Sequence, residues 1–561
     1  MKVSISWLKE LVDLKVSNKE LITLLPMRTI GLKETNESFL ELDMKGYNRA
    51  DLLSMRGVAR EVAAITDSKV NFESVNKYIW EDRDLLEVKV RVENTELCPV
   101  YCVAKIEGLK VTKSSEDIVK KLTDSGIRSI DNITDITNLL MIEYGQTMHS
   151  FDASKVTDET MIVRLAKKGE QFMTLDGKER KLTEEDMLIT DPIGILSLSG
   201  IMGGKNSEIT AETDTILLEV AIFDPVSIRK TSQRFNLYSE ASKRIQHGLT
   251  KTNLLQALDA AIKKYGEMGG KLTAITLTGD LEDKPKTVSL RHEKVNSLIG
   301  VELSTSEVEQ TLRKLGFSLG VLSGSPPKWE VTVPYFRLDI NIEEDLIEEV
   351  ARIYGYEKIP SNELKGELPE KIDQSLPNFI YDLKKTLADA GLTEVQTYSF
   401  VSTKVLHALG ANEENLKKAV KVANPISSET EYLRTFIWPN LIEVIEKNIK
   451  QGYRDIAVFE IGKIYQPGPK ESYRLAIALM NGTDNPVEEL ISLASHLKGV
   501  NLKKSGLMKE LEVLFHPTKY AIAEVNGKVV GSLAEVHPRF LNHFGIEKRV
   551  AILEISIENL V

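Results

Sequence analysis

The chain has 561 residues, with 72 lysines and arginines against 83 aspartates and glutamates, for a formal net charge of −11. At one domain per ~150 residues this length predicts about four domains, and a 42% hydrophobic share suits a soluble protein with sizeable cores. The acidic excess excludes a chain that grips nucleic acid through its overall charge; such a contact needs a local basic patch or a partner.

In chain order, MKVSISWLKELVDLK predicts an amphipathic helix around Trp7, Leu8, Leu11 and Val12. Its early charges fit neither a signal peptide nor a membrane span, and no later window is apolar over ~18 residues, so a cytoplasmic protein without membrane contact is expected. The segment LELDMKGYNRADLLSMRGVAREVAAITD predicts a polar turn at Lys45–Asn48 and an alanine-rich helix with Asp51 as its N-cap. Cys98 and Cys102 provide no disulfide framework, and no second Cys/His pair stands at zinc-ligand spacing. They read as packing residues of a strand. Residues 91–280 alternate short strands and helices, followed by a charged, proline-bearing linker, LEDKPK. A helix is expected over Ser304–Leu315, and SGSPP marks a loop between two strands.

The run from Val331 to Pro360 places Asp339, Asp345, Glu348 and Glu349 close together beside Arg352. A helix from about Asn341 would align Ile342, Leu346, Val350 and Ile353 on one side. Asp345, Glu348 and Glu349 would share the neighbouring flank. Two readings stand: oxygen ligands for a hard cation such as Mg²⁺, or a solvated face with a Glu348–Arg352 pair. A turn-rich linker, PSNELKGELPEKIDQSLP, then leads to TEVQTYSF, LRTFIWPNL and DIAVFEIGKIY.

These motifs resemble the phenylalanyl-tRNA synthetase β-subunit family. RLDINIEEDLIEEVARIYGY is similar to the family's B5 motif, and NRADLLSMRGVARE to its B1 motif. ITDITNLLMIEYGQTMHSFD, LSLSGIMGGKNSEIT and ILLEVAIFD resemble the B3/B4 editing domain. The resemblance implies a multidomain α+β chain: a B1-like domain at 1–90, the editing domain at 91–280, B5 at 287–360, and B6/B7 at 378–561. The last would be a class II synthetase-like antiparallel sheet domain that is catalytically silent, because Arg434 is followed by Thr435 rather than an acidic partner and no glycine-rich, arginine-bearing helix start follows. Bacterial members carry an inserted tRNA-binding barrel where this chain has only a short stretch near GLKETNESFLELD. They also carry an anticodon-binding domain beyond the segment that ends here at Val561.

The implied function is that of the β subunit of an (αβ)₂ enzyme that attaches L-phenylalanine to its tRNA using ATP and Mg²⁺. The synthetic site would lie in the α subunit, which would also bind most of the phenylalanine tRNA. Carried over by motif, the editing pocket comprises Thr137, His149, Gly203, Glu219 and Ala241, and the Mg²⁺ set comprises Asp339, Asp345, Glu348 and Glu349. That pocket would remove tyrosine wrongly joined to the phenylalanine tRNA, with Glu219 accepting the phenol O–H. The chain departs from the family at RIQHGLTK and at Tyr238, where a small Thr is common. An assembly scaffold with a decayed pocket is the alternative.

Overall fold

A computed structural model describes residues 1–561 except 73, 74, 76, 82, 321–323, 325, 326, 364, 368, 369, 371, 412–415, 417, 418, 469, 482–484, 498, 506–510, 559 and 561. It divides into two units, Met1–Glu363 and Leu364–Val561.

The first unit opens with an antiparallel three-stranded sheet, Phe39–Leu42 lying between Lys2–Ser4 and Leu32–Thr35. The expected helix forms over Ile5–Leu11, buries Trp7, Leu8 and Leu11, and stops at Val12, whose backbone is extended. The next expected helix spans Met55–Thr66, but Ser54 and not Asp51 caps it, accepting from the Gly57 N–H. Asp51 is unavailable as a cap because Arg49 holds both of its oxygens, at 2.9 and 2.7 Å. Gly57 is obligatory here, since a Cβ would stand 1.9 Å from the Asp51 carbonyl oxygen.

Two sheets follow. The four-stranded one runs Lys271–Gly279, Val100–Glu107, Thr215–Ile222, Met148–Asp152, antiparallel throughout. Strand side chains alternate between faces. Ile216, Leu218 and Val220 therefore pack with Ile133, Ile136 and Leu140 of helix Asn132–Tyr144 and with Leu254 and Leu258 of helix Lys251–Glu267. Leu217 and Ala221 turn the other way, onto Leu188, Leu196 and Leu198 of the five-stranded sheet. That sheet runs Met202–Gly203, Ile195–Leu198, Met187–Thr190, Thr160–Leu165, Lys89–Val92. Cys98 and Cys102 are buried among these strands as free thiols.

The unit closes with antiparallel strands Lys286–Arg291, Lys328–Val333 and Ser318–Leu319. Helices His292–Ile299, Thr305–Lys314 and Glu343–Tyr354 pack on them around fully buried Trp329. Ser304 caps the middle helix through a capping box with Glu307, the signal legible in the sequence. Of the SGSPP loop, residues 323, 325 and 326 lie outside the described residues.

The second unit is built on a seven-stranded sheet, ordered Thr393–Glu394, Ile456–Gln466, Lys470–Met480, Ala551–Ser556, Lys528–Val536, Phe515–Val525, Asn501–Lys504. All neighbours are antiparallel except the first pair. Helices Ser375–Asp389 and Pro486–Ala494 cover one face, and Trp438–Lys450 covers the other. The expected linker therefore ends early: its last residues, from Ser375, are already helical, and 364, 368, 369 and 371 lie outside the described residues. Among the described residues no helix is long and apolar enough to cross a membrane.

Candidate functional site in the paired sheets

Glu219 sits in the middle of strand Thr215–Ile222 and directly opposite His149 on strand Met148–Asp152. Cross-strand partners project to the same face, here the face of Leu217 and Ala221. A strand glutamate at this spacing would ordinarily meet solvent. Instead Glu219 is 5% exposed, because the second sheet and helix Glu240–His247 close over it. Burial pushes its pKa up to about 8 and pulls that of His149 down to about 4. At neutral pH the pocket thus presents a protonated carboxyl and a neutral imidazole.

The pocket, of about 100 Å³, is lined by His149, Gly203, Glu219 and Ala241 together with Ser197, Met202 and Phe223 among others. A Cβ at Gly203 would stand 2.9 Å from His149 Nε2, so the glycine leaves the ring its place. Ser197 and Phe223 lie within the editing-domain motifs but are not assigned to the pocket by sequence; the fold brings them in. Thr137 is not among the lining residues. It lies on helix Asn132–Tyr144, whose Ile133, Ile136 and Leu140 pack on the opposite face of the sheet, and its hydroxyl donates to the Thr134 carbonyl at 2.7 Å.

The carboxylates of 339–349 have another environment. The helix starts at Glu343, so Ile342 precedes it and is exposed, and the buried stripe is Leu346, Ile347 and Val350. Glu349 does not share a solvated flank: it is buried and accepts from Arg337 and from Arg352, the latter at 2.8 and 2.6 Å. Arg352 pairs with Glu349 and Glu61 rather than with Glu348, which is exposed. Arg337 holds both oxygens of Asp339, at 2.9 and 2.6 Å. Asp345 accepts from the backbone amides of Asn341 and Ile342. Glu61 also takes Arg49, so arginines and carboxylates alternate from Asp51 to Asp339.

Burial opposes ionisation of Glu61, yet the charges of Arg352 and Arg49 outweigh it and hold its pKa below the carboxylate range. Glu349 is held low in the same way, against burial, by Arg337 and Arg352. Among the described residues no three acidic, histidine or cysteine side chains converge as metal ligands. With Asp339 and Glu349 engaged by arginine, this arrangement does not fit a Mg²⁺ site within the chain.

In the second unit Arg434 is 2% exposed. Its guanidinium meets Glu460 at 2.8 Å, the Lys463 carbonyl at 3.0 Å and Thr397 Oγ1 at 2.8 Å. The acidic partner missing from the next position in sequence comes from the neighbouring strand. With its donors so engaged, Arg434 is a structural residue, not a group offered to a phosphate.

Known proteins resemble the chain along its length. The B3/4 domain profile matches residues 97–270, the tRNA synthetase B5 domain profile 288–356, and the phenylalanyl tRNA synthetase beta chain CLM domain profile 359–557. The phenylalanine–tRNA ligase beta subunit of Geobacter metallireducens is 34% identical over 556 residues, covering 95% of this chain and 68% of that protein. Those of Syntrophus aciditrophicus and Lactococcus lactis are each 34% identical, covering 91% and 93% of this chain and 66% and 67% of theirs. The chain thus spans about two thirds of these relatives' length. An N-terminal fragment of the phenylalanyl-tRNA synthetase beta subunit from Pyrococcus horikoshii overlays on 63% of this chain and 99% of its own at 21% identity, with a TM-score of 0.36, too loose for comparing sites. From the ordered run of profiles and the identity over nearly the whole chain, the chain belongs to the phenylalanine–tRNA ligase beta-subunit family.

Proposed function

We propose that this chain is the β part of an (αβ)₂ phenylalanine–tRNA ligase that uses ATP, with the synthetic site in the α subunit, and that its paired-sheet pocket hydrolyses tyrosine wrongly joined to the phenylalanine tRNA. The observation carrying the hydrolytic reading is buried Glu219 beside half-buried His149, facing Gly203 and Ala241 in one pocket. Water adds to the ester carbonyl, the bond to the ribose oxygen breaks, and that oxygen takes the proton. Neutral His149 offers a ring lone pair to the attacking water. Glu219 reads the substrate: a phenol O–H gives the buried carboxyl a partner, whereas a phenyl ring leaves it without one.

Deacylation of tyrosine- and phenylalanine-charged phenylalanine tRNA by the αβ complex tests this reading. Selective loss of tyrosine is expected, and no hydrolysis of either substrate would leave an assembly scaffold with a decayed pocket. A pH dependence follows from the raised pKa of Glu219. The phenol donates more strongly to a carboxylate than to the protonated acid, so ionisation through pH 8 favours tyrosine. The ratio of kcat/KM for tyrosine over phenylalanine is expected to rise about threefold to tenfold between about pH 6.5 and 8.5. A flat ratio would remove Glu219 from recognition.

A further inference from the structure

We infer that the second unit carries a binding site for a guanidinium group, in the cavity lined by helix Trp438–Lys450 and strand Phe400–Val401. The inference is independent of the hydrolytic reading above. The cavity measures about 780 Å³, within the range of small-molecule sites. Asn440, Glu443 and Lys447 line it, spaced so that they share one side of the helix. Leu441, Ile442 and Ile445 take the other side into the core. Tyr398 and Phe400 line the cavity from the strand side, and Glu429 also borders it.

The unengaged polar groups here are acceptors. Asn440 is 5% exposed. Its side-chain N–H groups donate to the Tyr398 and Phe400 carbonyls at 3.3 and 3.4 Å. That leaves its Oδ1 buried with no donor among the described residues, a cost that a ligand N–H would relieve. Glu443 is half-buried and makes no hydrogen bond or ion pair among the described residues. Burial raises its pKa against the charges of Lys447 and Lys404, and Glu429 and Glu446 add to the rise. The Thr397 and Thr430 hydroxyls are already engaged, donating to Glu460 at 2.6 Å and to the Ser427 carbonyl at 3.1 Å. Two carboxylates against one lysine give the lining a negative balance, which favours a cation over a phosphate or carboxylate.

The aromatic rings decide which cation. Tyr398 is 83% and Phe400 36% exposed, so ring faces stand open beside the acceptors. A planar guanidinium stacks on such faces, is weakly hydrated, and carries five donors, enough to serve Glu443 and Asn440 together. An ammonium is a compact, strongly hydrated charge that matches the rings less well. The same chemistry can come from a free small molecule or from an arginine side chain of the α subunit.

The test is calorimetry on the full chain with Nα-acetyl-L-argininamide, compared with Nα-acetyl-L-citrullinamide, which keeps the shape and lacks the charge. The chain is expected to bind the first and not the second. Glu443→Gln is expected to weaken binding about tenfold and Tyr398→Ala about threefold. Neither side chain belongs to the buried core, so both variants should fold. No binding by the wild type, equal binding of the two probes, or binding that neither variant alters would overturn the site. The same titration on the αβ complex identifies the source of the group. Retained binding there makes the ligand a free small molecule, and a cavity closed to the probe makes it an arginine of the α subunit.

Discussion

Glu219→Ala in the αβ complex is expected to erase most of the preference for tyrosine, lowering kcat/KM for the tyrosine-charged tRNA by about tenfold to a hundredfold relative to the phenylalanine-charged one. The magnitude is that of a buried hydrogen-bonding group losing its partner, about 1–3 kcal/mol. The carboxyl shares its pocket with Met202 and Phe223 and with the polar side chains of His149 and Ser197, and it is the acidic group lining it. Deacylation measured side by side on the two substrates decides it, and equal losses on both would make Glu219 a structural residue instead. Glu219→Gln separates recognition from folding. Because burial raises the folded-state pKa to about 8 from an ordinary 4.5, the native chain binds the proton more tightly than the unfolded one. Wild-type stability should then fall as pH rises from about 4.5 through 8. The glutamine variant, always neutral, should lose that slope and the pH dependence of selectivity with it.

Arg352→Met is expected to cost the Met1–Glu363 unit about 3–5 kcal/mol, the usual penalty for stripping one partner from a buried ion pair. Arg352 serves both Glu61 on helix Met55–Thr66 and Glu349 on its own helix, and also donates to the Arg28 carbonyl. Its loss leaves two buried carboxylates short of charge. In the wild type the depressed pKa values of Glu61 and Glu349 stabilise the fold above pH 4.5, and that contribution fades as pH falls below it. In the variant the same groups resist ionisation, so the gap between the proteins should narrow toward pH 4 and widen toward pH 8. Hydrogen exchange across residues 55–66 and 343–354 of the full chain reports it, and protection unchanged at pH 8 would show the network to be dispensable.

What the sequence determined by itself are the features written in local periodicity and capping. The Ser304–Glu307 box set the start of helix Thr305–Lys314, and the apolar spacing of Leu346 and Val350 set the buried stripe of the 343–354 helix. The resemblance to the family's editing motifs marked His149, Gly203, Glu219 and Ala241, and these line one pocket. The tertiary structure alone decided the electrostatics, because charge state depends on neighbours distant in the chain. Asp51 looked like a cap until Arg49 claimed it. Glu349 could be read as a solvated or a metal-binding carboxylate, yet it is buried against Arg337 and Arg352, and Arg352 also pairs with Glu61, far earlier in the chain. A strand spacing that suits a surface glutamate left Glu219 to be decided by what packs over it, and a second sheet does. Thr137 fell on the far face of the sheet for the complementary reason: a helix covers whichever face its own apolar residues match, and Ile133, Ile136 and Leu140 match Ile216, Leu218 and Val220.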